Sequence, residues 1–198
     1  MGLSLGYAVW RYPRYQRIFF PLLNFLQTVP SIALFALLML PLSALVVRYP
    51  RLQDWGISGI GVAPAVIALL LYTLLPLVRN TFAGLNAVPG ATLEAARGMG
   101  MRRGQIFRHV IVPLSLPVVL SGVRIAIVQA IGLTVVAALI GAGGLGIFVW
   151  EGLGQNALDL VLLGAIPTIF LALLADLLLQ GLIKLSQTQT SVYLTTKR

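Results

Sequence analysis

Two charged residues stand inside apolar runs, and one short mixed-charge stretch links two of those runs. Arg124 lies 11 residues beyond Pro113, and Asp176 lies 8 residues before Lys184. At about 1.5 Å of rise per helical residue, those separations place them about 16 Å and about 12 Å from the same side. A guanidinium and a carboxylate at similar depth can pair with each other, which is the expectation for Arg124 and Asp176. The competing expectation is that Arg124 snorkels to lipid headgroups while Asp176 meets a backbone or water partner. The linking stretch, Glu94 to Pro113, carries Glu94, Arg97, Arg102, Arg103, Arg108 and His109. Its chemistry is recognition: Glu94 can accept from a partner's donor, and the arginines suit acidic groups or lipid phosphates. No catalytic residue is assigned, because no acid, base and nucleophile converge in the pattern. With no cysteine and a single histidine, His109, thiolate and multi-histidine metal sites are excluded, so the metal set is none.

The elements that must position these residues follow from composition. Apolar residues make up 59% of the 198, and charged residues only 10%, with a mean hydropathy of +0.96. A soluble domain carries about a quarter charged residues to solvate its surface, so the solvent here is lipid. Crossing about 30 Å of hydrocarbon takes about 20 mostly apolar residues. Four segments qualify: Phe19 to Val47, Gly59 to Val78, Pro113 to Ile140 and Leu158 to Leu185. The first contains Pro21, Pro30 and Pro41 and is long enough to tilt or break. None alternates in polarity as barrel strands do, and backbone groups in lipid must be satisfied within the segment, so the fold class is all-α, a polytopic membrane helix bundle. Met1 to Arg17 shows no secretory signal.

Lys and Arg set the orientation. With a cytoplasmic N-terminus, Arg11, Arg14, Arg17, Arg79, Arg97, Arg102, Arg103, Arg108, Lys184, Lys197 and Arg198 all fall inside, against Arg48 and Arg51 outside. Eleven against two places the Arg79 to Val112 loop and the C-terminus in the cytoplasm. The net charge of +9 therefore belongs to membrane topology and not to nucleic-acid binding. Arg48 to Ser58 and the glycine-rich Gly141 to Asn156 face the other side, and Ser186 to Arg198 reads as a short polar tail.

In the inner loop, Val88-Pro89-Gly90 is a turn and Thr92 to Ala96 starts a helix, with Glu94 near its N-terminal end, where the helix dipole favours an anion. Gly98, Gly100 and Gly104 interrupt it, and Gln105 to Val112 is a second helical stretch leading to Pro113. The run Glu94-Ala95-Ala96, Gly100, then Val110-Ile111-Val112-Pro113 resembles the "EAA" loop of importer-type ABC transporter permeases. The resemblance implies that residues 89–112 form a cytoplasmic coupling helix docking on an ABC ATPase dimer. Ala95 and Ala96 would allow close approach, Gly100 a sharp turn, and Val110, Val112 and Pro113 would complete the motif. Read without the resemblance, the same stretch is an ordinary amphipathic loop helix with positive-inside arginines.

Gln27 to Ala33, Ala68 to Tyr72, Leu75 to Thr81, Gly141 to Gly146 and Glu151 to Leu153 look like the osmoprotectant branch of that family, which imports glycine betaine, choline and related compounds. The resemblance implies an inner-membrane permease subunit working by alternating access. It also implies ATP and Mg on a partner ATPase, with no cofactor in this chain. The other partners it implies are a second permease subunit, an external or periplasmic substrate-binding protein and membrane lipid. Such cores usually have at least five spans; only about 18 residues precede the first span here, and the expectation is that an N-terminal helix of the usual core is missing. Another small solute, such as an amino acid, and an ion-coupled secondary transporter with helices broken at Pro30 or Pro76 are the alternatives. A non-transporting membrane scaffold is the third reading. Asn24, Gln27, Thr28, Gln129 and Thr134 would line a pathway or join helices. Tyr72, Trp55 and Trp150 could meet a quaternary ammonium, or, for the two tryptophans, anchor at the outer interface.

Overall fold

The computed structural model describes the backbone of residues 1–195 and side chains through residue 187. Among the described residues every regular element is helical. In chain order these are α1 (Gly2–Arg11), α2 (Pro13–Thr28), α3 (Ser31–Arg48), α4 (Arg51–Asp54), α5 (Val62–Asn86), α6 (Gly90–Gly98), α7 (Arg103–Ile106), α8 (Val112–Ala137), α9 (Gly146–Gln155) and α10 (Leu158–Thr195). A π-helical turn, Phe107–Ile111, joins α7 to α8, and a 3-10 turn, Ala138–Ile140, ends α8.

Among the described residues four helical stretches are long and apolar enough to cross a membrane: Ser31–Arg48, Val62–Asn86, Arg103–Ile140 and Leu158–Gln187. Their boundaries correct the sequence reading in several places. The expected first span, Phe19 to Val47, is two helices, because Pro30 has no N–H and sits at φ −56°, ψ 137° between them. The second span does not stop at Val78 but continues as helix to Asn86, since nothing from Arg79 to Leu85 breaks it. Within the glycine-rich Gly141 to Asn156 segment, α9 occupies Gly146–Gln155. The expected polar tail is helical through Thr195, as no Gly or Pro follows Gly181 in that helix. Lys197 and Arg198, counted toward the orientation, lie outside the described residues.

The chain forms two compact units. One comprises Leu23–Thr73 and Ile127–Ala175, with Leu34, Phe35, Ala65, Ala68, Tyr72 and Ala137 as its buried core. There the α2–α3 break is closed by hydrogen bonds: the Tyr72 hydroxyl donates to the Val29 carbonyl at 2.5 Å, and Gln27 Nε2 donates to the Tyr72 carbonyl at 3.0 Å. In lipid such exposed backbone groups must find partners within the protein. The other unit comprises Met1–Leu22, Leu74–Ala126 and the chain from Asp176. Its core gathers Leu85, Val88, Ala96, Ile106 and Ile111, and it holds the inner loop, α1 and the Arg124 and Asp176 side chains.

Candidate functional site

The helix that carries Glu94 begins directly after Pro89, whose extended backbone (φ −61°, ψ 136°) lets the chain enter α6 at Gly90. Glu94 is therefore in the second turn and not at the N-terminal end as expected, and the dipole favours it little, because that field fades within the first turn. Its side chain is exposed and forms no ion pair or hydrogen bond among the described residues. Ala95 is exposed beside it, while Ala96 is 1% exposed and belongs to the core. Of the two alanines expected at a partner, only Ala95 is presented outward, because Ala96 falls on the helix face that packs on Leu85 and Ile106.

Gly100 explains how α6 stops. Its φ is +77°, and it stands at the C′ position of a Schellman ending. The Gly100 N–H donates to the Arg97 carbonyl at 2.9 Å, and the Met101 N–H donates to the Ala96 carbonyl at 3.2 Å. Glycine enters this left-handed region without the Cβ penalty that other residues meet. The apolar contact that usually accompanies the motif is present, since Met101 packs on the cluster that buries Ala96. Met99, by contrast, is 65% exposed. The outward surface of this turn is thus Glu94, Ala95, Arg97, Gly98, Met99 and Gly100.

Beyond the turn, the Gln105 side chain accepts from the Arg102 N–H at 2.8 Å and opens α7. His109 is exposed, with Nδ1 3.1 Å from the Gln105 carbonyl oxygen. The π-helical turn that follows has its cause in Pro113. That residue cannot donate to the His109 carbonyl, so the ladder shifts, and the Val112 N–H reaches back to Phe107. Val110 packs against the core cluster, whereas Val112 and Pro113 are exposed.

The N-terminal helix α1 adds a wall that the sequence reading did not foresee. Gly2, Gly6 and Val9 are its buried face. A Cβ on Gly6 would stand 2.5 Å from Thr81 Cβ, and one on Gly2 would stand 2.7 Å from Leu77 Cβ, so α1 meets α5 at backbone distance. The Gly-x-x-x-Gly spacing of Gly2 and Gly6 was the available signal. Tyr7 and Trp10 then reach Phe107, with ring centroids 5.2 Å and 6.4 Å away. Between α1 and the inner loop lies an open groove of about 810 Å³, with Tyr7, Trp10 and Phe107 along it and Arg11, Arg97 and Arg103 at its walls.

In the same unit, Arg124 of α8 and Asp176 of α10 are joined side by side. Nε donates to Oδ1 at 2.5 Å and Nη2 donates to Oδ2 at 2.7 Å. Neither charge snorkels away from the other.

The remaining polar candidates divide. Gln27 joins two helices through Tyr72, but Thr28 and Thr134 donate to carbonyls three residues back in their own helices. Tyr72 is 6% exposed with its hydroxyl engaged, so its ring is core and not a surface for a cation. Trp150 Nε1 donates to the Val135 carbonyl at 2.7 Å, which ties α9 to α8. Trp55 is 83% exposed, as an interface anchor would be. Among the described residues no group of three or more His, Cys, Asp or Glu side chains could hold a metal.

Residues 1–186 match the sequence profile of the family described as binding-protein-dependent transport system inner membrane component. The chain is 40% identical over 182 residues to the osmoprotectant import permease protein OsmW of Salmonella typhimurium, covering 92% of this chain and 80% of that protein. It is 37% identical over 180 residues to the glycine betaine/carnitine/choline transport system permease protein OpuCD of Bacillus subtilis, covering 90% of this chain and 72% of that one. Among solved structures, the inward-facing MetNI methionine ABC transporter aligns with a TM-score of 0.77 at 20% identity, covering 94% of this chain and 86% of that chain. At that identity the likeness is one of fold.

Proposed function

The chain belongs to the binding-protein-dependent transport system inner membrane component family, and from this premise we propose that it is the permease subunit of an ATP-driven importer for an osmoprotectant of the glycine betaine and choline class. The observation that carries the substrate class is the 40% identity to an osmoprotectant import permease along 92% of the chain.

In this reading residues 89–112 face the cytoplasm and dock on a partner ATPase. Several observations support it. Glu94 is exposed and has no partner among the described residues. Gly100 fixes a tight turn at the tip. The inner side of α6 is anchored through Ala96. A rigidly backed turn can transmit force, since α7 and the π-helical turn continue into α8 without a flexible linker. Movement of the ATPase dimer would then rotate α8 and expose the pathway alternately to each side. ATP and Mg act on the partner. A second permease subunit completes the pore, and an external binding protein delivers the solute.

The test is uptake of radiolabelled glycine betaine, choline and carnitine by membrane vesicles carrying this chain with its ATPase and binding protein. Uptake should require ATP and survive collapse of the proton and sodium gradients. Uptake that persists without the ATPase and disappears with the ion gradient would instead indicate a secondary transporter. Vigorous ATP-dependent uptake of an amino acid, with none of the osmoprotectants, would replace the substrate class and keep the subunit's role.

A further inference from the structure

The groove between α1 and the inner loop has a chemistry that solute translocation does not use. Arg97 and Arg103 are exposed and have no carboxylate partner among the described residues. Arg11, on the third wall, stands 5.8 Å from the Tyr12 ring centroid and also lacks a carboxylate. Three guanidinium groups therefore border one cavity of about 810 Å³ with no carboxylate among the described residues paired to them. Guanidinium forks suit phosphate oxygens, which they bind through paired charge-assisted hydrogen bonds.

The depth of the groove selects the source of the phosphate. Helix α1 runs alongside α5, with Gly2 on Leu77 and Gly6 on Thr81, so its Arg11 end and the groove beside it lie at the end of the membrane-crossing stretch Val62–Asn86. Its aromatic residues, Tyr7, Trp10 and Phe107, are of the kind that settles at headgroup level. Helix α1 buries Gly2, Gly6 and Val9 against α5 and leaves Leu3 and Tyr7 exposed, so it presents an apolar face beside the groove. Basic pockets at this level take lipid headgroups.

We propose that the groove bordered by Arg11, Arg97 and Arg103 binds the headgroup phosphate of an anionic phospholipid, with the glycerol end of the lipid against Tyr7, Trp10 and Phe107. Arg97 lies on α6 between Glu94 and Gly100, so the site adjoins the proposed docking turn, and copurification of the ATPase is read alongside lipid retention to tell the two apart. It would pin α1 to the inner loop from outside, much as Gly6 pins it to α5 from within.

The experiment is native mass spectrometry of the full chain released from vesicles containing equal phosphatidylglycerol and phosphatidylethanolamine. The wild type should retain phosphatidylglycerol preferentially, and the Arg97→Gln/Arg103→Gln double variant should retain about tenfold less or lower, given the weight of each arginine at a lipid surface. An Arg48→Gln/Arg51→Gln control, which removes charge from a different segment, should retain wild-type levels. All three proteins should melt as one cooperative species, because every substituted arginine is exposed. Equal retention by the double variant and the wild type would overturn the site. So would equal retention of the two lipids, or loss of bound lipid to millimolar inorganic phosphate, which would mark a simple anion site. Unchanged lipid retention with lost copurification of the ATPase would reassign the arginines to an acidic protein surface. None of these outcomes bears on whether the chain transports an osmoprotectant.

Discussion

Arg124 on α8 and Asp176 on α10 form a two-pronged ion pair within one structural unit, Nε to Oδ1 at 2.5 Å and Nη2 to Oδ2 at 2.7 Å. Their side chains are about one-third exposed within the chain, at 33% and 29%, which in this protein means exposed to lipid, a pathway or a second subunit. A lone charge there is costly, and a satisfied pair fixes which faces of two helices meet. Asp176→Ala should lower the melting temperature of the detergent-purified protein by leaving Arg124 unpaired. Arg124→Leu combined with Asp176→Leu should recover much of that loss. If the double variant melts no higher than Asp176→Ala, the pair does not hold the helices together.

Gly100 allows folding to be tested apart from the proposed docking. Its φ of +77° disfavours a Cβ, yet the space around it is open. Gly100→Ala should therefore cost about 1–2 kcal/mol from backbone conformation alone, read as a shift in denaturation midpoint, and Gly100→Asn should cost less. Gly100→Asp should insert normally and fail to stimulate the reconstituted ATPase. Normal transport by Gly100→Asp would remove the docking role from this turn.

Glu94 gives the complementary test, because it is exposed and unpaired among the described residues. Glu94→Lys should leave the melting temperature unchanged while reducing copurification of the ATPase under mild detergent. Unimpaired copurification together with wild-type uptake would refute its role as the contact.

Gly6 tests how α1 is held. A Cβ there meets Thr81 at 2.5 Å, and overpacked sites lose typically about 1–3 kcal/mol. Gly6→Val should lower stability and, by shifting α1, also reduce phosphatidylglycerol retention at the groove. Gly6→Val with unaltered melting would mean that α1 does not pack on α5 in the membrane.

Tyr72 tests the α2–α3 break. Tyr72→Phe removes the donor to the Val29 carbonyl and should cost about 1–3 kcal/mol for the acceptor left unsatisfied. Because the ring is buried core, the apparent KM for glycine betaine should stay as in the wild type. A raised KM with unchanged stability would place the ring on the solute pathway.

The sequence by itself determined the solvent of this protein and the class of its fold. With 10% charged residues there is too little polar surface for water, and a chain in lipid must satisfy its backbone locally, so helices follow. The depths of Arg124 and Asp176 were legible because helical rise is fixed, so position along the chain translates into depth. Tertiary structure decided which residues face one another. That Ala96 turns inward while Ala95 turns outward depends on where α6 begins, and Pro89 moved that start ahead of Thr92. That Tyr72 is core and not a cation surface depends on the Val29 carbonyl freed at Pro30, a partner distant in sequence. The arginine groove depends on α1 folding back onto the inner loop, across roughly a hundred residues of chain. Local spacing records depth and period, but contacts between distant segments are set by packing, and no single stretch of sequence carries them.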